Sequence, residues 1–333
     1  MDIFYPEYYD MFVCIASQCP DSCCKEWNVD VDEASAAFYR SLPGSLGDRL
    51  RQVLRDTDDG TIMAIENSHC PMWRQDGLCQ IQAELGHDAL CKVCREFPRL
   101  RHDYGNFVEL GLELSCPEAA RLILSEKEQN LVVKTTAEKE SPEYDVEMME
   151  TLRRSRKDFL SFLDATSLPF PQILAVLLLY VHDVQEELDG GAPAILDWKG
   201  CLADAVGLAQ RGEIGSVLAF FLNLEILTPQ WKERLESPAA QPRWETGYTS
   251  LLRYFIGRYW LQAISDYDVV CRGKLAVVAC LLIGYLGGNL TETAQLFSKE
   301  IENNSDNIEA ILDGTYTSPA LTDLNLLGLL QLL

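Results

Sequence analysis

The spacing of apolar residues separates a first part with little regular pattern from a second part with a continuous helical pattern. From about residue 146, apolar positions recur every three or four residues. This period predicts helices over 146–164, 171–188, 200–210, 213–225, 247–265, 272–286, 291–303 and 306–312. We therefore expect an all-helical C-terminal domain over residues 146–333.

Residues 1–125 have a weaker pattern that prolines interrupt. Three short helices are predicted: one capped by Asp30 with Glu33 three residues later, and two over 45–55 and 78–90. The best strand candidates are 61–66 and 107–114, while the polar stretch 126–145 predicts an exposed linker. The predicted fold class is mainly α, with an irregular cysteine-rich N-terminal metal-binding region packed on the helical domain.

Composition indicates a folded chain that does not bind polyanions. The 333 residues are 47% hydrophobic and 24% charged, which is typical of a packed globular core. The formal charge of −23 is spread over both parts of the chain. Such a field disfavours nucleic acid and anionic membranes and mildly favours a basic partner, although solubility alone explains it equally well.

Neither the first residues nor the longest apolar run suggests a membrane protein. The first residues contain no basic stretch followed by an apolar run, so no signal peptide is expected. The longest apolar run, 275–288, is too short to cross a bilayer comfortably and predicts a buried helix instead. We expect a cytoplasmic protein with no membrane partner.

Cysteine is the compositional outlier. Three of the twelve cysteines, Cys201, Cys271 and Cys280, stand alone in helical sequence and are predicted to be small buried residues. A dense group is a poor candidate for disulfides in a reducing cytosol, so metal binding by thiolates is the better interpretation. The nine candidate ligands all fall in the first 116 residues: Cys14, Cys19, Cys23, Cys24, Cys70, Cys79, Cys91, Cys94 and Cys116.

The spacing of the cysteines does not decide which metal they bind. Thiolates suit both zinc and iron–sulfur clusters, and only Cys91 and Cys94 have the short spacing of a zinc knuckle, which favours iron–sulfur. Nine thiols exceed the four that one centre needs, so either two centres exist or some cysteines only surround one. The adjacent Cys23 and Cys24 cannot readily reach the same metal. Three histidines near cysteines keep a mixed-ligand site possible: His69, His87 and His102.

Several cysteine segments together resemble the flagellin lysine-N-methylase family. They are CPDSCCKEW (19–27), preceded by Phe12 and Cys14, then Cys70-Pro71, LCQIQAELG (78–86), CREFPR (94–99) and LSCPEA (114–119). The resemblance covers residues 5 to about 125 and is weak afterwards. It implies transfer of methyl groups from S-adenosylmethionine to lysine side chains of flagellin, or of another lysine-bearing protein surface. It also implies that the cysteines hold a [4Fe–4S] cluster that takes part in the reaction.

The donor's carboxylate would need a cationic partner, and Arg95, Arg99 and Arg101 are available near the cysteines. Arg99, beside Phe97-Pro98, is the preferred cofactor-binding residue. Tyr104 and Asp103 are weaker candidates for the lysine end of the reaction.

Two motifs of other methyltransferases are missing. The chain contains no Gly-x-Gly, so the glycine-rich turn that commonly binds this donor is absent. Radical enzymes have three cysteines separated by three and then two residues. Cys19 and Cys23 begin this spacing, but position 26 is Glu, so the motif is missing too. If methyl transfer occurs, the cluster itself is the expected anchor for the donor.

Residues 253–260 form a dense aromatic and basic stretch on a predicted helix. Arg253, Tyr254, Arg258 and Tyr259 are spaced to share one face, followed by Trp260. They could form a pocket wall, or an ordinary amphipathic helix whose arginines extend to solvent.

Three functions are compatible with at least part of these features. The leading hypothesis is an iron–sulfur protein-lysine methyltransferase. The alternative is a non-catalytic binding module that zinc or a cluster stabilises. An electron-transfer or redox-sensing protein fits the cysteines but does not account for the large helical domain.

Overall fold

The computed structural model describes residues 1–125, 131–136, 141–209 and 211–332. Helices predominate over strands in these ranges, so the predicted mainly α class is confirmed. The helices of the first part are α1 (Tyr8–Met11), α2 (Glu33–Ser41), α3 (Gly44–Val53), α4 (Gln80–Leu85), α5 (Lys92–Glu96) and α6 (Pro117–Ser125).

The first part also contains two small sheets, which makes it more regular than predicted. Its strands are β1 (Asp2–Pro6), β2 (Val29–Val31), β3 (Leu54–Thr57), β4 (Gly60–Met63), β5 (Arg99–Asp103), β6 (Phe107–Leu112) and β7 (Leu131–Thr135). One sheet has the order β5-β6-β1-β7, in which β1 is parallel to β6 and antiparallel to β7. The other is antiparallel, with the order β2-β4-β3.

The described residues from 146 onwards are helical with short connections, as the period predicts. The helices are α7 (Val146–Ala165), α8 (Phe170–Leu188), α9 (Trp198–Leu208), α10 (Ile214–Leu222), α11 (Pro229–Glu236), α12 (Tyr248–Tyr259), α13 (Val270–Leu286), α14 (Leu290–Phe297), α15 (Ser305–Thr317) and α16 (Asp323–Leu329). A π-helix, Ser298–Glu302, continues directly from α14.

Helix α13 lies at the centre of this bundle. Every one of its residues is buried, which confirms the prediction that the apolar run is a core helix. It packs on α8, α12 and α15. No helix in the described ranges combines the length and the apolar character needed to cross a bilayer.

Two hydrophobic cores organise the chain. The main core joins the C-terminal helices to α6 and to Tyr8, Phe12 and Phe107 of the first part, so it includes residues on both sides of residue 125. The smaller core lies among β2, β4, α2 and α3 and includes several of the cysteines. Strand β7 falls within the stretch predicted as a linker, whose segments 126–130 and 137–140 lie outside the described residues.

Candidate functional site

Five cysteines form a group around the smaller core, here called the inner thiol set: Cys24, Cys70, Cys79, Cys91 and Cys94. All five lie in this core or pack against it. Burial raises the pKa of Cys70 to about 12, and the charges of Cys24, Cys79 and Cys91 act in the same direction. Their thiols are therefore near neighbours in space although the sequence separates them by up to 70 residues.

The other four cysteines form an outer thiol set: Cys14, Cys19, Cys23 and Cys116. Burial raises the pKa of Cys116 to about 11, and the charges of Cys19 and Cys14 add to the rise. The two sets meet where a hydrogen bond between Cys23 and Cys24 raises the pKa of Cys23 and lowers that of Cys24 to about 7. All nine predicted ligands thus belong to one continuous thiol region.

Short backbone contacts bring these segments together. The amide of Cys70 donates to the carbonyl of Cys24 at 2.7 Å. Glu26, which follows the cysteine pair, and Ser68, which precedes Cys70, have φ values of 75° and 63°, and the Glu26 amide donates to the Ser68 carbonyl at 3.0 Å. Non-glycine residues in this region of φ cost energy and persist only where the surroundings impose them.

The thiols do not form a ready-made ion site. Among the described residues, no three or more His, Cys, Asp or Glu side chains are arranged to hold a metal ion. The metal-binding role of the nine cysteines therefore stays a prediction. Cys201, Cys271 and Cys280 are buried in the helical part, as predicted.

A cavity of about 800 Å³, here called the thiol cavity, opens directly on the cysteine region. Cys23 and Cys94, one from each thiol set, line one side together with Phe97, Pro98 and Arg99. The opposite side comes from the C-terminal helices. Seven carboxylates line the cavity against two cations, Arg99 and Lys299: Glu26, Asp30, Glu96, Glu113, Glu225, Glu300 and Glu302. A cationic group entering the cavity would therefore be attracted.

Arg99 is the arginine of the three candidates that lines this cavity. Its guanidinium lies over the rings of Phe12 and Tyr9, at 5.1 and 5.8 Å from their centres. Arg95 instead donates to the Leu90 carbonyl at 3.1 Å, and Arg101 forms a salt bridge with Asp103 at 2.6 Å.

The π-helix Ser298–Glu302 supplies the charged wall opposite the cysteines. Its Lys299 is 2% exposed and contacts Asp21 at 2.8 Å and Glu26 at 2.5 Å, on either side of the cysteine pair. Burial lowers the pKa of Lys299, but the two carboxylates outweigh burial, so the net shift is upward. Lys299 therefore stays charged and ties the cysteine loop to the helical bundle.

Behind this wall lies a buried network centred on Glu302. Tyr259 donates to the Glu302 carboxylate at 2.8 Å and Tyr254 at 3.0 Å, while Arg258 lies 3.4 Å away. Arg258 also approaches Glu113 at 3.6 Å. Since Arg258 is only 10% exposed, the prediction of an ordinary helix with solvated arginines is wrong here. The aromatic and basic stretch instead contributes to buried walls.

Two cavity carboxyls have pKa values above their ordinary range. Burial raises the pKa of Glu113, and Glu302 adds to the rise while Arg258 opposes it. Burial also raises the pKa of Glu300, against the hydrogen bond that it accepts from Thr228. Such carboxyls can hold or release a proton closer to neutral pH than free glutamate can.

Glu113, Lys299, Glu300 and Glu302 are not among the predicted site residues. The available signal for three of them is the close spacing of Lys299, Glu300 and Glu302 around the apolar Ile301. Tyr104 and Asp103, the candidates for the lysine end, line neither this cavity nor the one formed by α7 and α12.

The three histidines also lie away from the thiol cavity. His69 stacks on Trp73 at 4.2 Å, and His87 is largely exposed next to Asp88. His102 lies in β5 and lines a separate cavity beside α7 and α12. No described contact of these side chains supports a mixed-ligand site.

Comparison with known proteins finds relatives that match about a third of the chain. The chain is 32% identical over 133 residues to the flagellar biosynthetic protein FliU of Salmonella muenchen, which covers 36% of this chain and 76% of FliU. It has the same identity to proteins named lysine-N-methylase from Salmonella typhimurium and Salmonella choleraesuis. The chain spans about a third of the length of these two methylases, since 32% of each is matched.

These matches relate the chain to a flagellar biosynthetic protein and to proteins named lysine-N-methylase. The chain belongs to the flagellin lysine-N-methylase family, as the resemblance of its cysteine segments predicts. No protein-family model matches the chain, and neither does any solved structure.

Proposed function

We propose that this protein is a cytoplasmic protein-lysine N-methyltransferase that transfers methyl groups from S-adenosylmethionine to flagellin. The observation that carries the proposal is the thiol cavity, which joins the cysteine region to seven carboxylates, of which Glu300 and Glu302 are buried. The protein's membership of the family supports the same reaction class, because relatives carry the name lysine-N-methylase.

The carboxylates suit a lysine acceptor. A lysine side chain reaches the cavity as an ammonium ion, which the excess of carboxylates over cations attracts. The amine must then lose a proton, since the ammonium has no lone pair with which to attack the methyl group. Glu113 and Glu300, whose pKa values burial raises, are the cavity groups best placed to accept that proton.

The inner thiol set is the proposed holder of a [4Fe–4S] cluster, with zinc as the alternative. Each iron of the cluster takes at most one thiolate, so the ligands can be spaced more widely than those of a single ion. Five neighbouring thiols packed around the smaller core fit the cluster in ligand type and suffice in number. If three of them held the cluster, its fourth iron would have no protein ligand and could chelate the donor's amino and carboxylate groups.

Arg99 would pair with the donor's carboxylate at the edge of the same cavity. Its guanidinium is exposed and lies over two aromatic rings, which limits its movement without neutralising it. The donor's methyl group must then point in line towards the lysine nitrogen. Phe97, Pro98 and Trp27 line the cavity and would help to keep water from the reacting atoms.

The test uses anaerobically purified full-length protein, labelled S-adenosylmethionine and purified flagellin. We expect label on flagellin lysines, and iron and sulfide in the amounts that one [4Fe–4S] cluster per chain requires. Cys94→Ala should lose iron and activity, while Cys280→Ala, which alters a buried cysteine of α13, should retain both. Transfer by iron-free protein would contradict the cluster, and no transfer by iron-loaded protein would contradict the methyltransferase.

A non-catalytic binding module remains the second candidate because thiols form part of a small core. Cys70 and Cys91 are buried in it, so a metal there would stabilise the first part directly. This function predicts colourless protein with stoichiometric zinc that binds flagellin without methylating it.

A further inference from the structure

A second cavity of about 510 Å³ lies between the four-stranded sheet, α7 and α12, and is here called the sheet cavity. Phe4 of β1, Leu100 of β5 and Leu110 of β6 provide an apolar wall, and Leu160 of α7 faces them across the cavity. Small-molecule sites are typically concave and largely apolar, with a few polar groups that orient the ligand.

The charge of this lining is opposite to that of the whole protein. Two carboxylates, Glu109 and Asp164, line the sheet cavity together with six cations: Arg153, Arg154, Arg156, Lys157, Arg253 and Arg258. The chain as a whole has 51 acidic residues against 28 basic ones. A chance sample of its charged residues would therefore be acidic.

Several of these cations are already neutralised. Arg156 forms two contacts with the Glu109 carboxylate, one of them at 2.9 Å. Arg253 pairs with Asp164. Arg154 pairs with Glu187. Arg258 is held by Glu302 and Glu113. These groups shape the wall but offer less free charge to a ligand.

Arg153 and Lys157, in contrast, are cations of the lining that no carboxylate neutralises in the described parts of the chain. They lie one turn apart on α7, and both are exposed. The Arg153 guanidinium lies over Phe107 at 4.6 Å and over Phe4 at 5.4 Å. It is therefore positioned by aromatic rings while its five N–H donors stay available.

His102 provides an additional polar group within the lining. Its Nε2 atom is buried and has no hydrogen-bond partner among the described residues. Burial lowers the pKa of His102, and the charge of Arg258 adds to this effect, so the ring is neutral near pH 7. A buried polar atom without a partner costs free energy, which a ligand with a matching polar group would recover.

We propose that the sheet cavity binds a small organic anion with a flat apolar body, such as a nucleotide or an aromatic carboxylate. The apolar body lies between the sheet and Leu160, the anionic group contacts Arg153 and Lys157, and His102 bonds a polar atom where the ligand carries one beside its anionic group. Because Arg258 and Tyr254 line this cavity and also contact Glu302 of the thiol cavity, the two cavities share a wall. The proposal does not depend on the methyltransferase reaction.

Isothermal titration of the full-length protein tests this with two anions and their neutral counterparts. The anions are adenosine 5′-monophosphate and 2-naphthoate, and the counterparts are adenosine and 2-naphthol. We expect one anion to bind about ten-fold or more tightly than its own counterpart. Whichever anion binds distinguishes a phosphate from a carboxylate ligand.

Two variants locate the site. Arg153→Gln with Lys157→Gln should weaken anion binding about ten-fold. Gly257→Leu should abolish it, because a Cβ at Gly257 meets no atom within 4 Å and projects into open space at the cavity wall. The matched control, Lys199→Gln with Lys232→Gln, removes two charges on α9 and α11 that do not line the cavity and should leave binding unchanged.

Four outcomes of these titrations would overturn the proposal. Equal affinity for anions and neutral counterparts, or absence of binding by all four compounds, overturns the proposal. Binding that survives Gly257→Leu places the ligand elsewhere and overturns it as well. Loss in Gly257→Leu without loss in the Arg153 and Lys157 double variant shows an apolar site, which contradicts the anionic assignment.

Discussion

At the scale of single residues, polar side chains of the bundle hold the cysteine region through ion pairs and hydrogen bonds. Lys299 is the clearest case, because one ammonium group satisfies two carboxylates that flank Cys23 and Cys24. Gln295, one turn earlier, donates to Asp21 at 3.0 Å and to the Ser115 carbonyl at 2.9 Å. The cysteine loop is thus held by side chains that lie 274 and 278 residues further along the chain than Asp21.

Replacing Lys299 by methionine should destabilise the protein by about 2 kcal/mol, because a charged hydrogen bond to Asp21 and a salt bridge with Glu26 are lost. Chemical denaturation measures this change. Lys232→Met, which breaks an exposed pair with Glu236 at 3.9 Å, should cost less than about 0.5 kcal/mol. Equal effects of the two changes would contradict the structural role of Lys299.

His102 should make stability depend on pH. Its pKa is lowered in the folded state by burial and by Arg258, so the unfolded chain binds the proton more readily. The folded protein should therefore lose stability as pH falls below about 6.5, with an extra slope of at most about 1.4 kcal/mol per pH unit.

Unfolding curves between pH 8 and pH 5 for wild type and His102→Gln check this expectation. The variant should show the shallower decline, whereas His87→Gln, at a largely exposed position, should follow wild type. A decline of the same steepness in His102→Gln would refute the assignment.

At the scale of elements, close helix packing makes some glycines essential and others replaceable. A Cβ at Gly273 of α13 would lie 2.2 Å from Val181 Cγ1 of α8, and valine has little freedom to move aside. Gly273→Ala should therefore cost about 1–3 kcal/mol through overpacking. Gly257→Ala, in the middle of α12 with open space around it, should stabilise by about 1 kcal/mol. Thermal unfolding of the pair measures both, and a stabilised Gly273→Ala would show that α8 and α13 are not packed as described.

Most helices were predictable because their apolar residues recur at the helical period or, in α13, form a nearly continuous apolar run. The segments over 146–164, 171–188 and 272–286 agree with α7, α8 and α13 to within two residues. Helices α1, α5, α6, α11 and α16 lie outside the predicted helices. The sheets were largely missed, apart from β6 and part of β4, because their strands are short and several are half-exposed, without a clear alternation.

The π-helix shows why the candidate site was only partly predictable. Residues 291–303 were predicted as one continuous helix, but the last five helical residues have π geometry. Since the wider turn changes which side chains share a face, the helical period cannot indicate that Lys299, Glu300 and Glu302 all reach one cavity. Such local π geometry is frequent at functional sites.

At the scale of the whole molecule, the excess of acidic residues should assist capture of a lysine-bearing protein. Under the proposed function, raising the salt concentration from about 0.1 M to about 1 M shortens the screening length from about 10 Å to about 3 Å. The KM for flagellin should then rise several-fold, with little change in kcat.

Steady-state methylation assays at several salt concentrations measure this effect. The KM for the methyl donor serves as the internal control, because a small ligand meets little of the long-range field. A flagellin KM that does not respond to salt would contradict electrostatic capture by this protein.

The sequence by itself determined the helical class of the second part, the buried α13 and the cysteine-rich region with its family. These features depend on residue types and on spacings within a few turns of chain, which the sequence displays directly. It also brought Arg99 forward as a candidate, and the structure places Arg99 on the thiol cavity.

Only the tertiary structure decided that Glu113, Glu302 and Lys299 line one cavity with Cys23 and Cys94, and that a second cavity, lined mainly by cations, adjoins it. The physical reason is that these contacts join segments up to 278 residues apart. Their geometry follows from how the two cores pack together, and no local period or spacing records that packing.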